Sequence, residues 1–438
     1  MKKIILFVIA GLLAVPASAQ STDKAKLDQY FEVLEANNKF MGSVQVSKDG
    51  KAIYTRSNGW ADVQGGKKTT ADSKFRIGSI SKTFTAALIL KAAEEKKLSL
   101  DDKLDKYFPT IPNASKITIK NLLNHSSGIH NFTNDEAYMK YNTAPKTQAE
   151  MVDIIAKAGS DFEPGAKNQY SNSGYVLLGF IVEKACKKPY KEVLNEKITK
   201  PLGLKNTYFG GKINTATNEV NSFEFNGKWN KSDETDMSIP GGAGAIVSTP
   251  ADLGKFIEGL FAGKIISAAS LEQMKTMTNK HGLGLFEFPY EQQKLYGHNG
   301  GIDGFQSMLV YAPDSRITVA ITSNGTTISP NDVGLTLLDW ANNTPFDIPE
   351  YKTFAYTEEE LDQYAGYYES KQIPLAITIT RNGSILSIQV KGQPAFPLDS
   401  AEKGVFTSEG IGLELEFKPA EKTMLLKQRG STFTFTKQ

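Results

Sequence analysis

A single cysteine, Cys186, stands among 438 residues. That excludes an intramolecular disulfide and any Cys-x-x-Cys metal site. Charge of one sign is equally scarce: 50 Lys and Arg face 48 Asp and Glu, for a formal charge of +2. With no long basic block, nothing in the charge pattern attracts nucleic acid or an anionic membrane. There is no tandem repeat and no low-complexity tract. Several signatures of chemistry are missing too. No G-x-S-x-G turn, H-E-x-x-H helix, Walker loop or full G-x-G-x-x-G occurs. Gly242-Ala243-Gly244 is a fragment of the last and reads better as a strand entry. His125 and His130 lie in a Ser/Gly-rich stretch without acidic companions at ligand spacing, so neither a metal nor another cofactor is expected.

What is present begins with the N-terminus. Lys2 and Lys3 precede an apolar run from Ile4 to Val15, then Pro16 and Ala17-Ser18-Ala19. This is the pattern of a secretory signal peptide cleaved after Ala19. The run is well short of the ~20 residues that span a bilayer, and no cysteine nearby offers a lipid site. No membrane anchor is expected to remain after cleavage, and the expected home is a bacterial periplasm or exterior. Cleavage also removes two of the positive charges and no acid, leaving a neutral chain long enough for two or three domains.

Along that chain, Met41 to Tyr54 alternates as a hairpin around Asp49-Gly50. Ser81 to Lys97 reads as a helix, with Phe84, Ala87, Leu88 and Lys91 at helical spacing. Segments near 147–158, 174–187 and 250–263 have similar character, the last opened by Ser248-Thr249-Pro250. Strands return at about 304–311 and 316–323, joined by Pro313-Asp314-Ser315. Strands at both ends of a helical middle predict one domain over 20–341 whose sheet joins its two termini. The polar segment 342–354 reads as a linker. Beyond it, short β-rich runs predict a small antiparallel barrel or sandwich over 355–438. Those runs are Ala376–Thr380, Leu386–Val390, Gly404–Thr407, Leu413–Phe417, Met424–Gln428 and Thr432–Thr436.

Three segments can carry chemistry. In Phe75-Arg76-Ile77-Gly78-Ser79-Ile80-Ser81-Lys82, Ser79 and Lys82 are three apart and share a helix face. Free N–H groups and the positive dipole at a helix start favour an oxyanion there. A hydroxyl needs a neighbour to take its proton, and Lys82 can do so; Ser81 points elsewhere. Alone, Ser79 would more often be a helix cap and Lys82 a solvated charge. The second segment is Gln169-Tyr170-Ser171-Asn172-Ser173-Gly174. A tyrosine near an ammonium is expected to have its pKa lowered from about 10, which suits a proton shuttle. Asn172 can bond both Lys82 and a substrate carbonyl. The third is Tyr296-Gly297-His298-Asn299-Gly300-Gly301-Ile302-Asp303-Gly304, where the glycines suggest backbone close to a ligand. On an edge strand, the N–H of Gly301 could face that of Ser79 and complete an oxyanion hole.

In that order the three segments resemble the serine β-lactamases and D-alanyl-D-alanine carboxypeptidases. The tyrosine in the second segment is similar to the class C branch and its D-aminopeptidase and esterase relatives. Supporting phrases are Leu122-Leu123-Asn124-His125-Ser126-Ser127-Gly128-Ile129, Pro201-Leu202-Gly203-Leu204 and Val247-Ser248-Thr249-Pro250-Ala251-Asp252-Leu253. The resemblance implies an α+β fold, with a five-stranded antiparallel sheet flanked by helices. It implies Ser79 as nucleophile, Lys82 and Tyr170 as proton carriers (either being the base), and Asn172, His298, Asn299 and Gly300 as substrate contacts. Where many β-lactamases carry Lys-Thr-Gly, this chain has His298-Asn299-Gly300. It lacks the lysine and hydroxyl that help bind a β-lactam carboxylate. Small esters or short peptides are therefore expected as substrates, with a class C-like β-lactamase or a non-catalytic binding protein as alternatives. The stretch 212–240, with Phe223 and Trp229, is expected to rim the pocket. The C-terminal unit resembles a lipocalin-like module, with Tyr364, Gly366, Tyr367 and Tyr368 expected to pack its interior in preference to covering the active site or binding an apolar ligand.

Overall fold

A computed structural model describes residues 19–351, 354–390, 395–408, 412–428 and 430–438. The expected signal peptide falls almost wholly on 1–18, outside the described residues. Among the described residues, no helix is long and apolar enough to cross a membrane.

The main sheet has six antiparallel strands: β1 (Phe40–Lys48), β2 (Lys51–Asn58), β3 (Phe286–Tyr290), β4 (Gln293–Ile302), β5 (Phe305–Ala312) and β6 (Ile317–Thr326). Their order is β3-β4-β5-β6-β1-β2, so N- and C-terminal segments meet at the β1/β6 pair. The sixth strand is β3, at the edge. Its sequence Phe-Glu-Phe-Pro-Tyr carries a proline that a central strand would not tolerate.

Alternation along the strands gives the sheet two apolar faces. Val44, Val46, Val319 and Ile321 face α1 (Ala19–Ala36) and α6 (Pro330–Ala341), introduced here with the intervening helices α2 (Ser81–Glu94), α3 (Gln148–Ala158), α4 (Asn172–Cys186) and α5 (Pro250–Phe261). Leu309 and Ala320 join the opposite core, which holds α2, α4 and α5. The helices expected from periodicity lie within a few residues of their expected positions. Several carry their expected punctuation: the Thr249 hydroxyl accepts from Asp252 N at 3.3 Å, with Pro250 in the first turn. α1 and α6 are not among the helices expected from the sequence.

The C-terminal segment closes into an eight-stranded antiparallel barrel of β7 (Gly366–Glu369), β8 (Ala376–Asn382), β9 (Ile385–Val390), β10 (Ala395–Glu402), β11 (Val405–Ser408), β12 (Leu413–Lys418), β13 (Thr423–Gln428) and β14 (Ser431–Lys437). Six of these match expected runs. The other two, β7 and β10, are short or interrupted by Pro397, Asp399 and Glu402, which weaken the strand signal. The interior is packed. Tyr364 and Phe406 meet edge-on at 5.1 Å, and Tyr368 and Phe417 at 5.8 Å. Tyr367, by contrast, is exposed.

The three tryptophans, Trp60, Trp229 and Trp340, all precede the barrel. Emptying the barrel core with Phe406→Ala should cost about 3–5 kcal/mol of barrel stability. In urea, the circular-dichroism signal of the barrel should melt earlier while the tryptophan fluorescence midpoint stays. Equal shifts of both signals would mean that the two parts unfold together.

Candidate active site

The segment before α2 explains where Ser79 sits. Phe75 and Arg76 pair with Ser248 and Val247 in a small sheet, and Ile77 N donates to Ile246 O at 3.0 Å. On the other side the Ser307 hydroxyl donates to Ile77 O at 2.8 Å. The chain then turns through Gly78, at φ +50°, into the short 3-10 turn Gly78–Ile80 that carries Ser79. Side chains are excluded here on both partners. A Cβ on Gly78 would lie 2.6 Å from Gly301 N, and one on Gly300 would lie 2.0 Å from Ile77 O. Backbone of β4 therefore packs directly against the Ser79 turn, in accord with the glycine-rich third segment. Ser79 caps neither the 3-10 turn nor α2, which frees its hydroxyl.

That hydroxyl is held from two sides. Lys82 Nζ lies 2.9 Å from Ser79 Oγ, and the Tyr170 hydroxyl donates to the same oxygen at 2.7 Å. Lys82 is wholly buried and reaches two further acceptors, Asn172 Oδ1 at 2.7 Å and Ala243 O at 2.9 Å. All three contacts are neutral, so nothing compensates the loss of water. Burial pushes the Lys82 amine well below the usual lysine range. Ser81 is buried and structural, its hydroxyl accepting from Ile246 N at 3.1 Å.

Tyr170 differs from expectation. Its pKa is raised, not lowered, because burial outweighs its hydrogen bond to Ser79. Lys82 Nζ does lie 4.9 Å from the ring centroid. Burial disfavours the charge on this amine as well, which weakens its pull on the phenol. His125, which the sequence offered as part of a family phrase and not as a site residue, lies 4.5 Å from the Tyr170 ring at a tilt of 32° and takes the Ser171 N–H on Nδ1.

Asn172 opens α4 and bonds Lys82 as expected. Its amide nitrogen also donates to Thr133 Oγ1 at 3.0 Å, and its backbone N donates to Asn131 Oδ1 at 2.9 Å. His298 is buried on β4, with Nδ1 against the carbonyl of Asn299. Burial lowers its pKa to about 3, so the ring is neutral. The Asn299 amide donates to Asn331 of α6 at 2.9 Å. Ser79, Tyr170, His298, Asn299, Gly300 and Gly301 share one cleft of about 450 Å³ with Phe286, Phe288 and Gln306. The stretch 212–240 does not line it. Phe223 is instead buried, and Trp229 packs on Phe225. The aromatic wall comes from β3, whose weak strand signal hid it.

Behind the cleft, buried Arg76 ties three segments together. It donates to Asp303 Oδ2 at 3.0 Å, to Glu234 Oε1 at 2.5 Å and to the carbonyls of Gly211 and Thr235. Asp303 follows Gly301 and Ile302 at the β4–β5 turn, so this network fixes the strand end beside Ser79.

Two substitutions probe this geometry. Tyr170→Phe should slow acylation of Ser79 by about 10²- to 10⁴-fold while leaving the fold intact. Asp303→Ala leaves buried Arg76 with Glu234 as its one carboxylate partner and the Thr235 N–H and hydroxyl without their acceptor, and should cost about 1–3 kcal/mol in chemical unfolding. A Tyr170→Phe variant that acylates normally would remove the phenol from the reaction.

Comparison with known proteins agrees with this geometry. Residues 27–341 match the beta-lactamase family model. The teichoic acid D-alanine hydrolase of Staphylococcus aureus (strain MRSA252) is 28% identical over 304 residues, covering 67% of this chain and 72% of that protein. The D-amino acid amidase of Ochrobactrum anthropi SV3, solved with D-phenylalanine, superposes with a TM-score of 0.64 at 26% identity, covering 72% and 98%. The octameric penicillin-binding protein homologue from Pyrococcus abyssi gives 0.64 at 25% identity, covering 94% and 100%. On its fold and its match over most of the chain, this protein belongs to the beta-lactamase family and is a serine hydrolase of that family.

Proposed function

We propose that this hydrolase is exported and works through an acyl-enzyme on Ser79, cleaving small esters or amides, including D-aminoacyl ones. One observation carries the reading: a single hydroxyl within 2.9 Å of a buried lysine and 2.7 Å of a half-buried tyrosine. Lys82 takes the Ser79 proton as Oγ attacks the carbonyl carbon. Backbone N–H groups of Ser79 and Gly301 receive the oxyanion. The leaving group departs with a proton passed through Tyr170, whose raised pKa keeps it a phenol. Water then attacks the acyl ester by the reverse route.

The cleft supports a neutral or apolar substrate. Phe286, Phe288 and a neutral His298 line it, with no lysine or arginine beside them to pair with a carboxylate. The D-amino acid and D-alanine chemistry in the names of two relatives supports D-aminoacyl groups. His298, Asn299 and Gly300 are the substrate contacts, together with the Asn172 amide. The reading also takes 20–341 as the hydrolase unit, 342–354 as a linker and 355–438 as the barrel unit, with cleavage of the signal after Ala19.

A fluorophosphonate probe and intact-mass analysis test the nucleophile. One adduct on the full-length protein, lost in Ser79→Ala, is expected. Among D-alanyl esters, D-alanyl anilides and nitrocefin, the first two should turn over faster. Rapid nitrocefin hydrolysis would favour a β-lactamase, and no adduct on folded protein would favour a binding protein.

A further inference from the structure

His130 is the one histidine that the proposed reaction leaves unused and that lies outside the ring cluster around Tyr170. Its imidazole sits between two carboxylates: Nδ1 is 2.8 Å from Asp161 Oδ1, and Nε2 is 3.0 Å from Asp135 Oδ1. A neutral imidazole has one N–H and one lone pair. It can donate to one of these carboxylates, and its lone pair would then face the other oxygen at 2.8 or 3.0 Å. Both contacts are hydrogen bonds only in the imidazolium.

The two carboxylates belong to segments that hold the site. Asp161 also accepts from Gln169 Nε2 at 3.1 Å, and Gln169 immediately precedes Tyr170. Asp135 closes the turn Phe132–Asn134, its N–H donating to Phe132 O at 3.3 Å. That turn carries Thr133, which accepts from the Asn172 amide, and Asn172 in turn accepts from Lys82. Asn131 accepts the Asn172 N–H, and His130 O accepts the Ser173 hydroxyl at 2.5 Å. The ring thus lies two short hydrogen-bonded paths away from Tyr170 and from Lys82.

We propose that His130 is a positioning residue: as an imidazolium bridging Asp135 and Asp161, it holds the loops that present Tyr170 and Asn172, and losing its proton releases them. This rests on Ser79 being the nucleophile. The groups that act on the ring are Asp161, from the segment packed against it, and Asp135, from its own loop; partial burial opposes them. The bonds to Asp161 and Asp135 raise its pKa above the usual 6.5. The bridge is therefore complete below about pH 6.5 and is lost as pH rises through the raised value. With a side chain 24% exposed, the ring exchanges protons with solvent directly.

The rate of Ser79 labelling by a fluorophosphonate, measured on the full-length protein from pH 5 to 10, reads this device. The wild type should lose rate along an alkaline limb. His130→Gln should be slower at pH 7, by about tenfold to a hundredfold, and lack that limb. His130→Arg, which keeps a permanent charge and two donors, should restore rate and hold it to higher pH. A His130→Gln protein with the wild-type rate and limb overturns the proposal. Side-chain NMR supplies a readout independent of labelling. The His130 ring should titrate above the usual 6.5, and the amides of residues 169–173 should shift with its midpoint. A ring that titrates at or below 6.5, or amides indifferent to its titration, overturns the inference. Wild type that never labels would instead overturn the Ser79 reading, while the NMR titration still decides the role of His130.

Discussion

The burial of one lysine amine among neutral acceptors is the constraint around which this site is built. An ammonium removed from water without a counter-charge is costly by several kcal/mol, and the group responds by giving up its proton. Lys82 is in that position: its contacts are a hydroxyl, an amide oxygen and a carbonyl, each from a different segment. In the proposed reaction the arrangement exchanges local stability for a base next to Ser79. Stability has to come from elsewhere, and the all-apolar core that α2 shares with α4 and α5 is the evident source.

Each acceptor depends on a larger element. Asn172 is the first residue of α4. Ala243 lies in the single helical turn Gly241–Gly244, which leads into the short strand Ile246–Ser248. That strand pairs with Phe75–Arg76 and so orients the Ser79 turn from behind, while β4 and Ser307 of β5 press on it from the front. Arg76 then locks the β4–β5 turn to the loops at 211 and 234–235. The cleft is a joint between sheet and helices, and the rigidity of both sets the distances around Ser79.

Much of this was legible in the sequence. The Ser79/Lys82 spacing, the turn before Asn172 and the glycines around His298 each foretold a contact that the fold makes. What stayed hidden depended on long-range packing. Nothing local marks Ala243 as a ligand of Lys82, since a backbone carbonyl has no residue signature. The aromatic wall has little sequence signal because β3 is short and carries Pro289, whereas the aromatics of 212–240 suggest a rim that the fold does not make of them. The Tyr170 shift is opposite in sign to the effect of a nearby ammonium because burial of the phenol dominates. His125 and His130 lacked acidic companions at metal-ligand spacing. In space His130 has two carboxylate partners, Asp135 from its own loop and Asp161 from thirty-one residues away.

The central claim is that burial holds the Lys82 amine well below the ordinary lysine range and so makes it a proton acceptor for Ser79. Selective 13C or 15N labelling of lysine, with Lys82 assigned by a Lys82→Arg comparison, gives its titration directly by NMR. The account predicts that Nζ titrates well below the ordinary lysine value of about 10.4. A Lys82 that stays an ammonium up to about that value would contradict it, and the proton-accepting role would have to move to another group.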